Sequence, residues 1–433
     1  MGRTGNGGRG AFRGIKYSPL PSQRLFHRSS SRFKGFSGPI GSGKSQALCH
    51  EAIKLSYLNA GRLGLIGAPT YPMLRDATQR TLIEILDQND IPYELCKSER
   101  SILLKDIRSR IILRSVDQFE RLRGTNLAWF GLDELTYTTE PVWMRLEGRL
   151  RDPGAKRLCG FGVWTPRGHD WVYQRFVNSR IQGYTVVVAR PFENRFLLAQ
   201  VPDYYERLKR SYDAGLYEQD VLGSYSANRD DSVYRALDQI ANIRPLQRDF
   251  SEPLLWSLDF NVEPMCSIVA QRFRDEIRVI DEIVLHRSCT SDACEEFLRR
   301  YSNTQDTVHV YGDASGYRRQ TAGTSDYDTV RQIFHRHNRR FELRVPRSNP
   351  PVRERVALVN ANLGNAEGAR RLFIDPKCRE LIKDLVEVRY RSNGEIDKSR
   401  DGARTHLSDA LGYLILGEVK PDVRLGEQGH RLF

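Results

Sequence analysis

No stretch of the 433 residues approaches the ~18 uncharged apolar positions of a membrane span. The Gly/Arg-rich start also lacks the apolar run of a signal peptide, so neither spanning nor export is expected. Cysteine is sparse: Cys49, Cys96, Cys159, Cys266, Cys289, Cys294 and Cys378 are scattered, with one close pair at 289 and 294. No CxxC pair occurs, which excludes the common structural zinc arrangements and leaves reduced thiols in a cytoplasmic protein as the expectation. Neither helix-turn-helix nor zinc-finger spacing is present, and no internal repeat is visible. With Gly 34 and Pro 19 the chain is no collagen, and 39% apolar residues are too many for a wholly disordered one. Acidic residues are missing altogether from residues 1–34, where eight Lys/Arg stand.

What is present is a chain long enough for two or three domains, with 67 Lys/Arg against 54 Asp/Glu and a net charge of +13. That excess points to an anionic partner. Two readings of the first dozen residues stay open, a flexible arm that touches nucleic acid and a plain solvated tail. From Phe33 strand and helix signals alternate. Apolar segments at 62–70, 109–116, 126–134, 156–166 and 185–190 are separated by helical stretches at 46–58 and 73–88. This alternation predicts an α/β domain with buried, mainly parallel strands. The rhythm changes near Glu252. Strands are expected at 253–261, 266–273, 277–286, 307–313 and 341–347, with helices near 292–301, 326–334, 352–362 and 376–388. A second α/β domain is placed there. The segment 191–250 shows helical polar material and no chemical cluster.

Gly38-Pro-Ile-Gly41-Ser-Gly43-Lys44-Ser45 matches GxxxxGK[ST] between a short apolar segment and a helix. Such glycines let backbone N–H groups approach phosphate oxygens; Lys44 reaches the β/γ-phosphates and the Ser45 hydroxyl serves Mg²⁺. A second element, Leu127-Ala-Trp-Phe-Gly-Leu-Asp133-Glu134, is an apolar strand delivering two acids to its carboxyl end. Asp133 suits the Mg²⁺ hydration shell, and Glu134 suits the base that orients or deprotonates the attacking water. Thr165 is a candidate γ-phosphate sensor or a simple strand terminator, and Gln23 a candidate adenine contact or a solvent-facing residue. Arg121, Arg123, Arg149 and Arg151 are candidate neutralisers of transition-state charge, within one chain or from a neighbour.

Asp259 and Asp313 each follow an apolar run, where a lone buried charge is costly. Asp409 lies in a segment whose Leu407, Ala410, Leu411 and Leu414 mark a packed helix. A shared site for two Mg²⁺ or Mn²⁺ ions resolves the cost and supports phosphodiester hydrolysis. Glu282, Asp326 and Asp401 are alternative ligands, and His406 lies one turn from Asp409. Residues 331–347 carry six Arg against Glu342 alone, a patch suited to backbone phosphates or to a solvated face.

Taken in order, the phosphate loop, Leu122-Arg123-Gly124, Asp133-Glu134, Thr165, Asp259, Asp313 and Ser408-Asp-Ala-Leu-Gly-Tyr413 resemble the large terminase subunit of tailed double-stranded DNA bacteriophages. The resemblance covers nearly the whole chain. It implies a basic arm at 1–34, an N-terminal ASCE-type P-loop ATPase with a linker subdomain over 35–250, a ribonuclease H-like nuclease over 251–425, and a tail at 426–433. It further implies Mg-ATP on Lys44 and Ser45, with Glu134 as base and Thr165 as the coupling residue; Gln23, Gly38, Gly41, Gly43 and Asp133 stand beside them as candidate nucleotide contacts, and which of Arg121, Arg123, Arg149 and Arg151 neutralises charge stays open. Asp259, Asp313 and Asp409 become the nuclease acids. The implied partners are double-stranded DNA, the portal protein of a procapsid and a small terminase subunit. A homo-pentamer at the portal vertex in the host cytoplasm, monomeric or not in solution, completes the expectation. Many relatives place a basic residue just before the loop's first glycine; here Arg32 and Lys34 are out of register. The alternative is an ATP-dependent DNA helicase or repair nuclease, and a structural DNA- or portal-binding protein with an inactive nuclease fold is a third reading.

Overall fold

The computed structural model describes residues 14–115, 124–179, 181–225, 231–261, 263–302, 306–319, 323–391, 395–397 and 405–419. Two compact units divide them. The first runs to Gln200 and takes in residues 222–225; the second holds Val201–Val221 and the described chain from 231 onward.

Short, glycine-punctuated apolar runs build the first unit's sheet: β1 (Phe33–Ser37), β2 (Leu63–Ala68), β3 (Tyr93–Cys96), β4 (Ser101–Leu104), β5 (Ser109–Ser115), β6 (Trp129–Leu132), β7 (Cys159–Trp164) and β8 (Tyr184–Val188). Their order is β3-β4-β5-β2-β6-β7-β1-β8. From β5 to β8 every pairing is parallel, as the alternation predicts, and β3 and β4 extend the edge antiparallel. All residues of β6 and β7 are buried, which is why these strands are continuously apolar rather than alternating. The helix Lys44–Leu58 packs against the sheet through Ala47, Leu48, Ala52 and Leu55.

The second unit's sheet comprises β9 (Leu254–Asp259), β10 (Met265–Phe273), β11 (Glu276–Leu285), β12 (Val308–Gly312), β13 (Phe341–Leu343) and β14 (Leu372–Ile374), in the order β13-β12-β9-β10-β11-β14. β9, β10 and β11 form an antiparallel meander, while β12 and β13 add parallel on the other side of β9. Period-two alternation divides β9 between two cores. Leu254, Trp256 and Leu258 face the helices Thr290–Arg300 and Asp326–Arg336, where Trp256 stacks on Phe297 at 4.5 Å and on Phe334 at 5.6 Å. The opposite face, with Leu255, packs beneath the helices Val352–Leu363, Arg379–Glu387 and His406–Glu418.

The expected boundary at 250 lies inside the second unit's share of the chain. Hydrogen bonds tie residues on both sides of 222–225 there: Asn365 donates to the Arg210 carbonyl at 3.0 Å, Asn360 donates to the Val233 carbonyl, and Asn242 donates to the carbonyls of Leu363 and Leu372. No helix among the described residues is long and apolar enough to cross a membrane.

Candidate active sites

The phosphate loop joins the end of β1 to the helix Lys44–Leu58. Gly41 and Gly43 both sit at φ 76°, a left-handed conformation that side chains with a Cβ resist and that turns successive N–H groups toward one side. Lys44 Nζ donates to the carbonyls of Gly38 at 3.1 Å and Pro39 at 3.0 Å, so the ammonium already lies over the loop. Ser45 Oγ stands 3.4 Å from Asp133 Oδ2 at the end of β6. β7 lies between β1 and β6, and Thr165 follows β7 directly, its carbonyl accepting from Thr136 Oγ1 at 3.4 Å. Loop, acids and Thr165 thus meet at the carboxyl ends of adjacent parallel strands.

Asp133 is buried, and burial pushes its carboxyl above the ordinary range. Thr78, Lys44, the Glu134 N–H and Ser45 oppose that shift. Thr78 Oγ1 gives the shortest of these contacts, 2.7 Å, and comes from a π-helical turn, Leu74–Gln79, that interrupts an otherwise α-helical segment. Glu134 adopts φ 48° and ψ 53°, a left-handed conformation costly for a non-glycine residue and typical of sites where a side chain must be aimed.

Gln23 lies beneath the loop rather than facing solvent. Its amide nitrogen donates to the Gly43 carbonyl at 2.9 Å, and its oxygen accepts from Leu20 N at 2.8 Å and Tyr17 OH at 3.0 Å. Asn194 braces the other side, donating to the Gly41 carbonyl at 2.6 Å. The sequence offered no signal for Asn194 or Thr78, since nothing local marks either residue.

Among the candidate arginines, Arg121 and Arg123 lie outside the described residues. Arg149 and Arg151 sit at the wrong end of β6 to reach the loop within one chain: the Arg149 carbonyl accepts from Leu127 N, and Arg151 Nε donates to Asn126 at 2.9 Å, both before the strand begins. Arg32 donates to the Leu150 carbonyl, and Lys34 is buried against Glu51 at 2.7 Å. Neither compensates for the basic residue missing before Gly38.

In the second unit, the register pairs Gly312 with Leu258, so Asp313 and Asp259 come next on neighbouring parallel strands. Alternation puts both on the face covered by the helix His406–Glu418, where Ser257 Oγ donates to the Ala410 carbonyl at 2.6 Å. On that helix His406, Asp409 and Tyr413 are spaced three and four residues apart and share one side. His406 Nδ1 lies 2.9 Å from Asp259 Oδ2, and Tyr413 OH donates to Asp313 Oδ2 at 3.2 Å. Asp409 stands between these two contacts along the helix. The helix start is itself held by buried Asp384, which accepts from the N–H groups of Leu407 and Ser408.

Burial pushes the Asp259 carboxyl up; the hydrogen bond from His406 opposes it, and Asp409 adds to the rise. Burial acts on Asp313 too, but hydrogen bonds from Asn349 and Ser315, each at 2.6 Å, outweigh it and hold the carboxyl below the ordinary range. Three carboxylates without cysteine form a donor set for a hard divalent cation. As placed, however, no three His, Cys, Asp or Glu side chains among the described residues could hold a metal ion together. The alternative ligands have other work: Glu282 accepts from the N–H groups of Glu380 and Leu381 at a helix start, and Asp326 accepts from Thr290 at 2.6 Å. Asp401 lies outside the described residues.

No protein-family model matches the sequence, and no curated protein matches it. Solved structures do match. The large terminase from a thermophilic bacteriophage superposes with a TM-score of 0.64 at 15% identity, covering 92% of this chain and 99% of that one. The same terminase in complex with ADP gives 0.63, and in complex with ATP-gamma-S 0.62, each at 15% identity over 92% of this chain and 98% of that one. At such identity the likeness is one of fold, and over nearly its whole length the chain is folded as that large terminase is.

Proposed function

We propose that the chain is a viral DNA-packaging motor subunit, coupling ATP hydrolysis to translocation of double-stranded DNA into a procapsid and cutting concatemeric DNA with a separate nuclease. The fold shared with a large terminase supports this reading, and so does the chemistry of each site.

For the ATPase half, the placement of β7 between the loop strand β1 and the acid strand β6 supports an ASCE-type assignment. The loop N–H groups and Lys44 would hold the β- and γ-phosphates, and Ser45 and Asp133 would hold Mg²⁺, which when bound supplies charge neutralisation. Glu134 takes the proton of the attacking water, its left-handed backbone fixing the direction of the carboxylate. Thr165, joined through its carbonyl to the turn after Glu134, reports the state of the site to β7.

For the nuclease half, the antiparallel β9–β10–β11 meander with parallel strands beyond β9 supports a ribonuclease H-like assignment. Asp259, Asp313 and Asp409 would hold two Mg²⁺ or Mn²⁺ ions, which when bound activate water and stabilise the leaving oxygen. His406 fixes the Asp259 carboxylate and Tyr413 that of Asp313. Exposed Arg336, Arg340 and Arg347 track the phosphate backbone without reading bases. Portal protein, small terminase subunit and a homo-pentameric ring in the host cytoplasm follow as partners of such a motor.

The observation that supports the reading is that Asp259 and Asp313 end neighbouring strands beneath the helix that carries Asp409, and that His406 and Tyr413 of the same helix contact those two acids. Asp313→Asn tests it. Mn²⁺-dependent plasmid cleavage should disappear while ATP hydrolysis continues at close to the parent rate. Equal cleavage by parent and variant removes Asp313 from the chemistry.

A further inference from the structure

The acid cluster contains a cation of its own. Arg355, on the helix Val352–Leu363, has a side chain only 7% exposed, and its Nη1 lies 3.0 Å from Asp409 Oδ1 and 3.4 Å from the Asp409 carbonyl. The guanidinium stands 4.3 Å from the centre of the Tyr413 ring, whose hydroxyl touches Asp313. Gly412 makes room for this approach: a Cβ there would lie 3.3 Å from Arg355 Cβ. Arg355 Nε is buried without a hydrogen-bond partner, so the guanidinium is incompletely satisfied and depends on Asp409 for its compensation.

We propose that Arg355 is a positioning residue that holds Asp409 and sets how much divalent cation the nuclease site needs before it loads. This deepens the nuclease reading and rests on it. A carboxylate oxygen already drawn to a unit positive charge is a weaker ligand, and a divalent ion entering beside that charge is repelled by it. Each acid is drawn to partners of its own: Asp409 to Arg355, Asp313 to Asn349 and Ser315, and Asp259 to His406 and Asn261. Those last partners are amides, hydroxyls, N–H groups and an imidazole, which carries a charge only when protonated. Arg355 brings a permanent charge, so it has the strongest hold on metal affinity.

Titration calorimetry of the full chain with Mn²⁺, without nucleotide, tests this. Asp259→Asn in each background identifies the heat that belongs to the nuclease site. Arg355→Met, which keeps bulk and removes charge, should bind Mn²⁺ about tenfold more tightly at that site. Arg355→Lys, which keeps the charge, should stay close to the parent. The Mn²⁺ concentration giving half-maximal cleavage should move in step. Arg355→Gln serves the same purpose if the Met variant does not fold. Unchanged or weaker binding in the neutral variants, with Asp259→Asn still removing the signal, overturns the role of Arg355 and leaves the nuclease reading standing. Binding that survives Asp259→Asn in every background overturns the metal site itself, and the proposal with it.

Discussion

Replacing Gln23 with Ala separates two ways in which this residue could serve ATP hydrolysis. In the structure its amide is engaged by protein on both sides, which makes it a strut under the phosphate loop. Removal affects its three partners unequally. The Gly43 carbonyl keeps its helical bond from Ala47 N at 3.0 Å, and the Tyr17 hydroxyl keeps His27 at 3.1 Å. Leu20 N–H has Gln23 as its acceptor and sits in a residue only 2% exposed, so the variant leaves one buried donor unmet. An orphaned buried donor, plus a lost hydrogen bond to the loop, costs about 2–3 kcal/mol. For a unit of this size that lowers the melting temperature by about 4–12 °C. Because the strut touches the loop backbone and no base, affinity for ATP and GTP should fall by similar factors. Thermal melts and equilibrium binding with both nucleotides provide the assay. A variant that melts with the parent but loses only its preference for adenine would refute the argument.

Glu134→Gln should bind ATP with little change yet lose steady-state hydrolysis by at least about 100-fold, the usual worth of a general base; unchanged turnover in a phosphate-release assay overturns the assignment. Acid stability should depend on Glu51. Burial alone would raise this carboxyl, yet the hydrogen bond from His27 and the charges of Lys34 and Lys54 hold it at about 2 instead of its ordinary 4.5. A depressed carboxylate stabilises the fold fully above 4.5, and that contribution is lost as pH falls from there toward 2. Glu51→Gln should therefore flatten the fall in melting temperature across that window. At pH 7 it should cost about 3–5 kcal/mol by leaving Lys34 buried and unpaired. Parallel slopes for parent and variant would contradict this.

Much of the fold was legible because its strands are buried on both faces or divided cleanly between two cores. The apolar runs at 62–70, 156–166 and 253–261 contain β2, β7 and β9, each shorter than its run. The β3–β4 hairpin was not legible: Tyr93–Cys96 is a half-exposed edge strand without a strong apolar pattern. β14 is three residues long and takes its identity from pairing with β11, a tertiary property. The chemical residues followed the same division. Lys44, Ser45, Asp133 and Glu134 stand in local patterns that the chemistry itself dictates, and Asp259 and Asp313 each end a buried strand. Thr78, Asn194, Asn349 and Arg355 act through contacts with residues far away in the chain, and no local spacing announces such contacts. Gln23 was singled out as an adenine contact or a solvent-facing residue and is neither exposed nor free, since its burial under the loop depends on Tyr17 and Leu20.

We propose that Asp259, Asp313 and Asp409 serve one metal-dependent cutting site. Anomalous diffraction from crystals of the full chain grown with Mn²⁺ tests it most directly. Manganese density bounded by all three carboxylates is expected, with the Arg355 guanidinium withdrawn from Asp409. Manganese bound elsewhere, or on Asp259 alone with Asp409 still clasped by Arg355, would contradict it.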